Sequence, residues 1–217
     1  MEGASAIRRP VGQMSDARED ILARLEAARP PATAPPTRVS PPAMPEDPIA
    51  TFAARVEQAG GSLQRASRRD WPLAIEWPVA LDAVEQLFLG AGVPEQTGTG
   101  LSARGVATTA RHVHALAPLE ICVLRAELAV VENGAVWQQP ATSLERAAAL
   151  LAEHLVVLVD EQALVPTLHD AYQRIDLSTT RFGWFLCGPS KTADIEQALV
   201  LGAHGPRTMS VVALSDD

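Results

Sequence analysis

The chain has 217 residues, 47% of them hydrophobic, and a formal charge of −8 with no lysine-arginine stripe, which excludes a footprint on nucleic-acid phosphates. No apolar run approaches the roughly 18 residues of a membrane helix, and residues 1–30 lack the apolar stretch of about 7 to 15 residues of a secretory signal, so a cytoplasmic location away from any membrane is expected. Cys122 and Cys187 are too few, and too far apart in sequence, for a disulfide framework, a four-thiolate zinc site or an iron-sulfur cluster.

In chain order, Asp16 and Glu19 stand at N-cap and third-position spacing ahead of Ile21, Leu22 and Leu25, which predicts a short amphipathic helix up to Ala28. Pro30, Pro31, Pro35, Pro36, Pro41, Pro42, Pro45 and Pro48 then remove backbone donors at close intervals, so residues 1–48 read as a helix plus a proline-rich linker and 49–217 as one domain. Ile49 to Ala59 is helical in pattern and stops at Gly60-Gly61, with a strand over Ser62 to Ala66. Pro78 to Leu89 has helical spacing at Leu81, Val84 and Phe88, and the upstream Trp71 and Trp77 read as packing residues. Strands are expected over Arg104 to Ala110 and Glu120 to Arg125. Another pair, Ala129 to Glu132 and Ala135 to Gln139, flanks Asn133-Gly134, the signal for a type I′ hairpin turn.

From Thr142 the pattern alternates: helix over Thr142 to Leu151, strand Leu155 to Val159, helix Pro166 to Ile175, strand Phe182 to Cys187, helix Ala193 to Leu201, strand Thr208 to Leu214. Strands separated by helices imply crossover connections, hence an α/β fold with a mixed, mainly parallel sheet.

The segment from Cys187 to Glu196 reads as strand, loop, helix, and a helix start at the carboxyl end of a strand suits a small carboxylate or phosphate. Ser190 and Thr192 supply hydroxyls there and Lys191 a charge; the bland alternative is that Ser190 or Thr192 merely caps the helix and Asp194 complements its dipole. The loop matches neither a Walker sequence nor a dinucleotide fingerprint, so nucleotide binding is not supported. His204, in the turn Gly202 to Pro206, is a candidate acid-base group or a plain turn residue. Glu132, beside the Asn133 turn, could reach the Lys191 loop as a base or a partner, or simply be solvated. His112 and His114 alternate as on a strand but lack a third metal ligand nearby, and Thr97 to Gly100 suggests a mobile flap.

The run GPSKTADIEQALVLGAHGP, residues 188–206, resembles the C-terminal signature of LUD-domain proteins, specifically the lactate utilization protein C family. More weakly, VVENGAVW at 130–137 looks like that family's A-E-T-G-T segment, with Asn133 in place of threonine, and Glu153-His154 leading into β-rich sequence looks like its H-I-x-V-V strand. The resemblance implies a Rossmann-like domain of the sugar-phosphate isomerase and CoA-transferase type. The candidate ligand contacts in this run are Gly188, Ser190, Lys191, Thr192, Asp194, Glu196, His204 and Gly205. The role implied is that of a non-redox subunit in oxidation of L-lactate to pyruvate. No cofactor is expected on this chain; iron-sulfur clusters are expected in its partner subunits. Two other functions stay open: a free-standing enzyme on a phosphorylated sugar or acyl-CoA, and an interaction module without a ligand.

Overall fold

The computed structural model describes residues 12–34, 36–37, 40–94, 101, 112–117, 119–195 and 198–216. The chain divides into two compact units, Met1–Ser40 and Pro41–Asp217. Helix α1, Gly12–Ala27, belongs to the first and starts earlier than the Asp16 cap suggests; Arg24 and Asp20, one turn apart, pair at 2.8 Å.

The second unit opens on α2, Pro48–Gln58. Asp47 sets its start: Oδ1 accepts the Ala50 N–H at 2.9 Å, and proline at the first helical position lacks only a donor that would be unpaired anyway. Phe52 and Val56, one turn apart, are its buried face. Then follow β1 (Ser62–Ser67), a single helical turn α3 (Trp71–Ala74), β2 (Leu87–Leu89), β3 (Ile121–Arg125), β4 (Leu128–Val130), β5 (Ala135–Gln138), α4 (Ser143–Leu151), β6 (His154–Asp160), β7 (Leu164–Val165), α5 (Leu168–Arg174), β8 (Trp184–Leu186), β9 (Lys191–Ile195), β10 (Ala198–Leu201) and β11 (Thr208–Ser215). Thr142 and Thr167 cap α4 and α5, each accepting the N–H three residues on.

The main sheet is parallel throughout, in the order β1-β11-β6-β3-β2. Its central strands are apolar at consecutive positions because both faces are covered. Cys122, Leu124, Leu155, Val157, Met209 and Val211 face α2 and α4 with Phe52, Val56 and Ala148. The alternate residues Ile121, Val123, Val156, Leu158, Val212 and Leu214 pack with Trp71, Ile75 and Leu87. Trp71 and Trp77 are thus packing residues, with ring centroids 6.0 Å apart. A second sheet, β7-β4-β5-β8, is mixed, and α5 closes its far side through Ala171 and Ile175 against Val130 and Trp137. β9 and β10 form a separate antiparallel hairpin.

The expected α/β class with a mainly parallel sheet is the observed one. Four local expectations are corrected. Pro78 to Leu89 is not a helix: a 3-10 turn at Leu81–Ala83 leads into β2, because Leu87 to Leu89 pair with Ile121 to Val123 and Glu120 Oε2 gathers the Glu85 and Gln86 N–H groups. The Asn133-Gly134 turn is not a two-residue type I′ turn, since Val130 pairs with Ala135 across a four-residue loop whose Gly134 N–H returns to Val130 O. Ala193 to Leu201 is not a helix but the hairpin β9–β10. His112 and His114 lie on and beside a 3-10 turn, Val113–Leu116, not on a strand, and among the described residues no group of three metal-ligating side chains assembles. The expected strand over Arg104 to Ala110 and the expected flap over Thr97 to Gly100 fall outside the described residues. No described helix is long and apolar enough to cross a membrane.

Candidate functional site

The two halves of the 188–206 run are bound to each other. Ser190 N–H donates to Pro206 O at 2.9 Å, and Ser190 O accepts the Gly202 N–H at 2.9 Å. Gly205 lies directly against Ser190, whose Cβ would stand 3.0 Å from a Cβ added at 205. The intervening residues therefore double back, with Lys191 opposite Leu201.

The clasp precedes the first residue of β11, so it lies at the amino end of that strand of the parallel sheet; the carboxyl end, where the sequence pattern placed it, carries other residues. β8, which leads into it, belongs to the mixed sheet. Instead of a new helix start it meets the finish of α2. Gly188 sits at φ +73°, and a Cβ there would come within 2.2 Å of Ala59 O, so both the backbone region and the space require glycine. Lys191 Nζ lies 3.0 Å from where a Cβ on Gly60 would stand. Its charge thus complements the partial negative charge at the carboxyl end of α2. The Asn133-Gly134 turn completes the cluster: Gly134 takes φ +75° with Val56 N 2.7 Å from its absent Cβ, and the Cys187 thiol donates to Asn133 O at 3.3 Å. Partial desolvation pushes that thiol's pKa up, and nearby Lys191 pulls it back. At neutral pH Cys187 is thus a thiol rather than an activated thiolate.

Gly188, Ser190, Lys191, Thr192 and Gly205 are brought together by this arrangement, with Lys191 and the neighbouring His204 exposed and Ser190 and Thr192 half-buried. Asp194 lies on β9, and Glu196 falls outside the described residues. Glu132 is engaged elsewhere: its Oε2 accepts the Leu168 N–H at 3.0 Å, bracing the first turn of α5.

Two arrangements escaped the sequence pattern. At the carboxyl edge of the parallel sheet, Asp160 at the end of β6 contacts both Arg125 and Arg68, and Arg68 also pairs with Asp216 at 2.8 Å. Deeper, Glu145 is only 3% exposed. Its Oε1 accepts from Gln138 Nε2 and its Oε2 from Ala141 N–H, each at 2.9 Å; Ala91 N–H bonds to it as well, and Trp184 Nε1 donates to Gln138 Oε1 at 2.6 Å. Burial raises the Glu145 pKa despite those donors. A Thr-x-x-Glu spacing signals a helix start, but nothing local says that this glutamate turns inward.

Against known proteins, the LUD domain model matches residues 109–214. Curated relatives are the lactate utilization protein C of an Exiguobacterium species, 28% identical over 103 residues, and that of Bacillus subtilis, 28% identical over 96 residues. The first match covers 45% of this chain and 45% of the relative, and the second 42% and 40%, so the chain spans less than half the length of these relatives. The crystal structure of a DUF162 family protein from Deinococcus radiodurans superposes with a TM-score of 0.60 at 17% identity, over 77% of this chain and 96% of that one, which shows the fold. Over residues 109–214, just under half of its length, the chain is thus similar to the LUD domain family.

Proposed function

We propose that this chain is an accessory, non-redox subunit of a system that oxidises L-lactate to pyruvate, working with iron-sulfur partner proteins. The reading is carried by the likeness to lactate utilization protein C and by the LUD domain match over residues 109–214, which include the clasped loops. Taking lactate to pyruvate releases two electrons and two protons. With two cysteines in the whole chain, Cys122 buried in the core and Cys187 exposed on a loop, the electrons are assigned to carriers on the partners. The clasp then serves for docking. Among the described residues the β9–β10 hairpin pairs with no other strand, and a free hairpin edge beside exposed Lys191 and His204 offers both backbone donors and charge to a partner. Gly188, Ser190, Lys191, Thr192, Asp194, Glu196, His204 and Gly205 are the proposed contact set, for a partner or for a small carboxylate or phosphate presented with it.

The test is co-purification. Tagged chain expressed with iron-sulfur proteins of a lactate utilization system should retain them, and Lys191→Glu with His204→Glu should release them while the melting temperature holds. Retention unchanged by that pair of substitutions would remove the docking role.

A further inference from the structure

A second cleft lies away from the clasp, where the start of α4 meets the chain entering β8. It encloses about 410 Å³ and is lined by Thr142, Ser143, Arg146, Arg181, Phe182 and neighbouring backbone. Its two charged side chains are both arginines, on a protein whose net charge is −8. Neither guanidinium is in an ion pair among the described residues. Arg146 instead stands over the Phe182 ring, 4.7 Å from its centroid. A cation-π contact compensates charge but satisfies no N–H, so the five donors of that side chain stay available.

The acids of this region are already committed. Glu127 accepts from Gln139 Nε2 at 2.9 Å, Glu145 points inward to Gln138 and Ala141, and Asp176 is held by Ser178 and Thr179. Two guanidinium groups without an ion pair among the described residues, facing one cleft of small-ligand size and one of them positioned by an aromatic ring, make a site for a planar or tetrahedral oxyanion.

We infer that the Arg146–Arg181 cleft binds a small organic or inorganic anion, a carboxylate or a phosphate, through both guanidinium groups. The inference does not depend on the lactate reading, since it rests on this cleft alone.

Trp184 packs edge-on against Phe182 at 5.4 Å, so tryptophan fluorescence reports on occupancy. The full chain is titrated separately with L-lactate, pyruvate and inorganic phosphate, at low and at 0.5 M sodium chloride. At least one probe should shift the emission saturably, more weakly in high salt, and the tighter of the two chemistries identifies the ligand class. Arg146→Gln and Arg181→Gln should each weaken that probe about tenfold, and Arg174→Gln, which removes one exposed charge on α5, should not. Equal melting temperatures of the variants establish that they are folded. No saturable response to any probe, or loss of binding in Lys191→Ala with the two cleft variants unaffected, would overturn the proposal.

Discussion

Replacing Glu145 separates the work of its charge from that of its hydrogen bonds. The buried carboxylate accepts from Gln138, Ala141 and Ala91, and of these Gln138 is itself buried and has no water to turn to when it is removed, whereas Ala91 and Ala141 are exposed residues. A buried donor left unpaired costs about 1–3 kcal/mol, so Glu145→Ala should lose on the order of 1–3 kcal/mol. Glu145→Gln keeps the shape but turns an NH2 toward a donor. Gln138 cannot simply invert to meet it, because its Oε1 already accepts from Trp184. That substitution should cost about 1–3 kcal/mol at neutral pH, less whatever is regained by not burying a charge. The pH dependence carries the sign. Because the folded pKa of Glu145 is raised above its ordinary value of 4.5, its titration adds stability that is complete below that value and is lost as the pH rises through the folded pKa. Urea unfolding followed by circular dichroism at pH 7 and pH 4.5 should therefore show the wild type losing less stability on acidification than Glu145→Gln. Parallel losses, or a neutral-pH difference under about 0.5 kcal/mol, would refute the picture of a strained, hydrogen-bonded carboxylate.

Other outcomes follow from single contacts. Deleting residues 1–40 should leave the melting temperature of the second unit unchanged, whereas deleting 1–47 also removes the Asp47 cap of α2 and should cost about 1 kcal/mol, both read by thermal unfolding. Gly188→Ala must accommodate a Cβ 2.2 Å from Ala59 O at positive φ, and should destabilise by about 2–4 kcal/mol in the same assay; an unchanged melting temperature would deny the tight seat against α2. His154, whose ring Nδ1 lies 2.8 Å from Thr208 Oγ1, has its pKa lowered chiefly by burial. It therefore favours folding above its ordinary value of 6.5 and withdraws that support as the pH falls through the folded pKa, so its ring resonances should titrate below 6.5 by NMR.

Much of the fold could be read from residue pattern where burial is two-sided or capping is local. Leu155 to Val159 and Met209 to Leu214 are apolar at every position but Ser210 because both sheet faces are covered, and Thr142 and Thr167 announce α4 and α5 through side-chain contacts only three residues long. β2 was illegible because three residues hold no period, and its strand geometry comes from pairing with residues more than thirty positions onward. The hairpin was misread for a different reason. Ala193 to Leu201 is rich in alanine, glutamate, glutamine and leucine, which favour a helix, and the opposing constraint is the Ser190 clasp to Gly202 and Pro206. The resemblance drew attention to both motif segments, but not to what they bind: Ala59 and Gly60 lie about 130 residues earlier in the sequence, and only the folded sheet brings them to Gly188 and Lys191. The Arg146–Phe182 contact also joins separate segments of the sequence, so nothing in either one marks the cleft.

The function proposed for this chain is a part in lactate oxidation without carrying the electrons. It is tested most directly by reconstituting the iron-sulfur partners with L-lactate and an artificial acceptor, with and without this chain, and measuring pyruvate. The account predicts turnover by the complete mixture, little by the partners alone, and none by the chain alone. Pyruvate formation by the isolated chain, or full turnover by the partners in its absence, would contradict it.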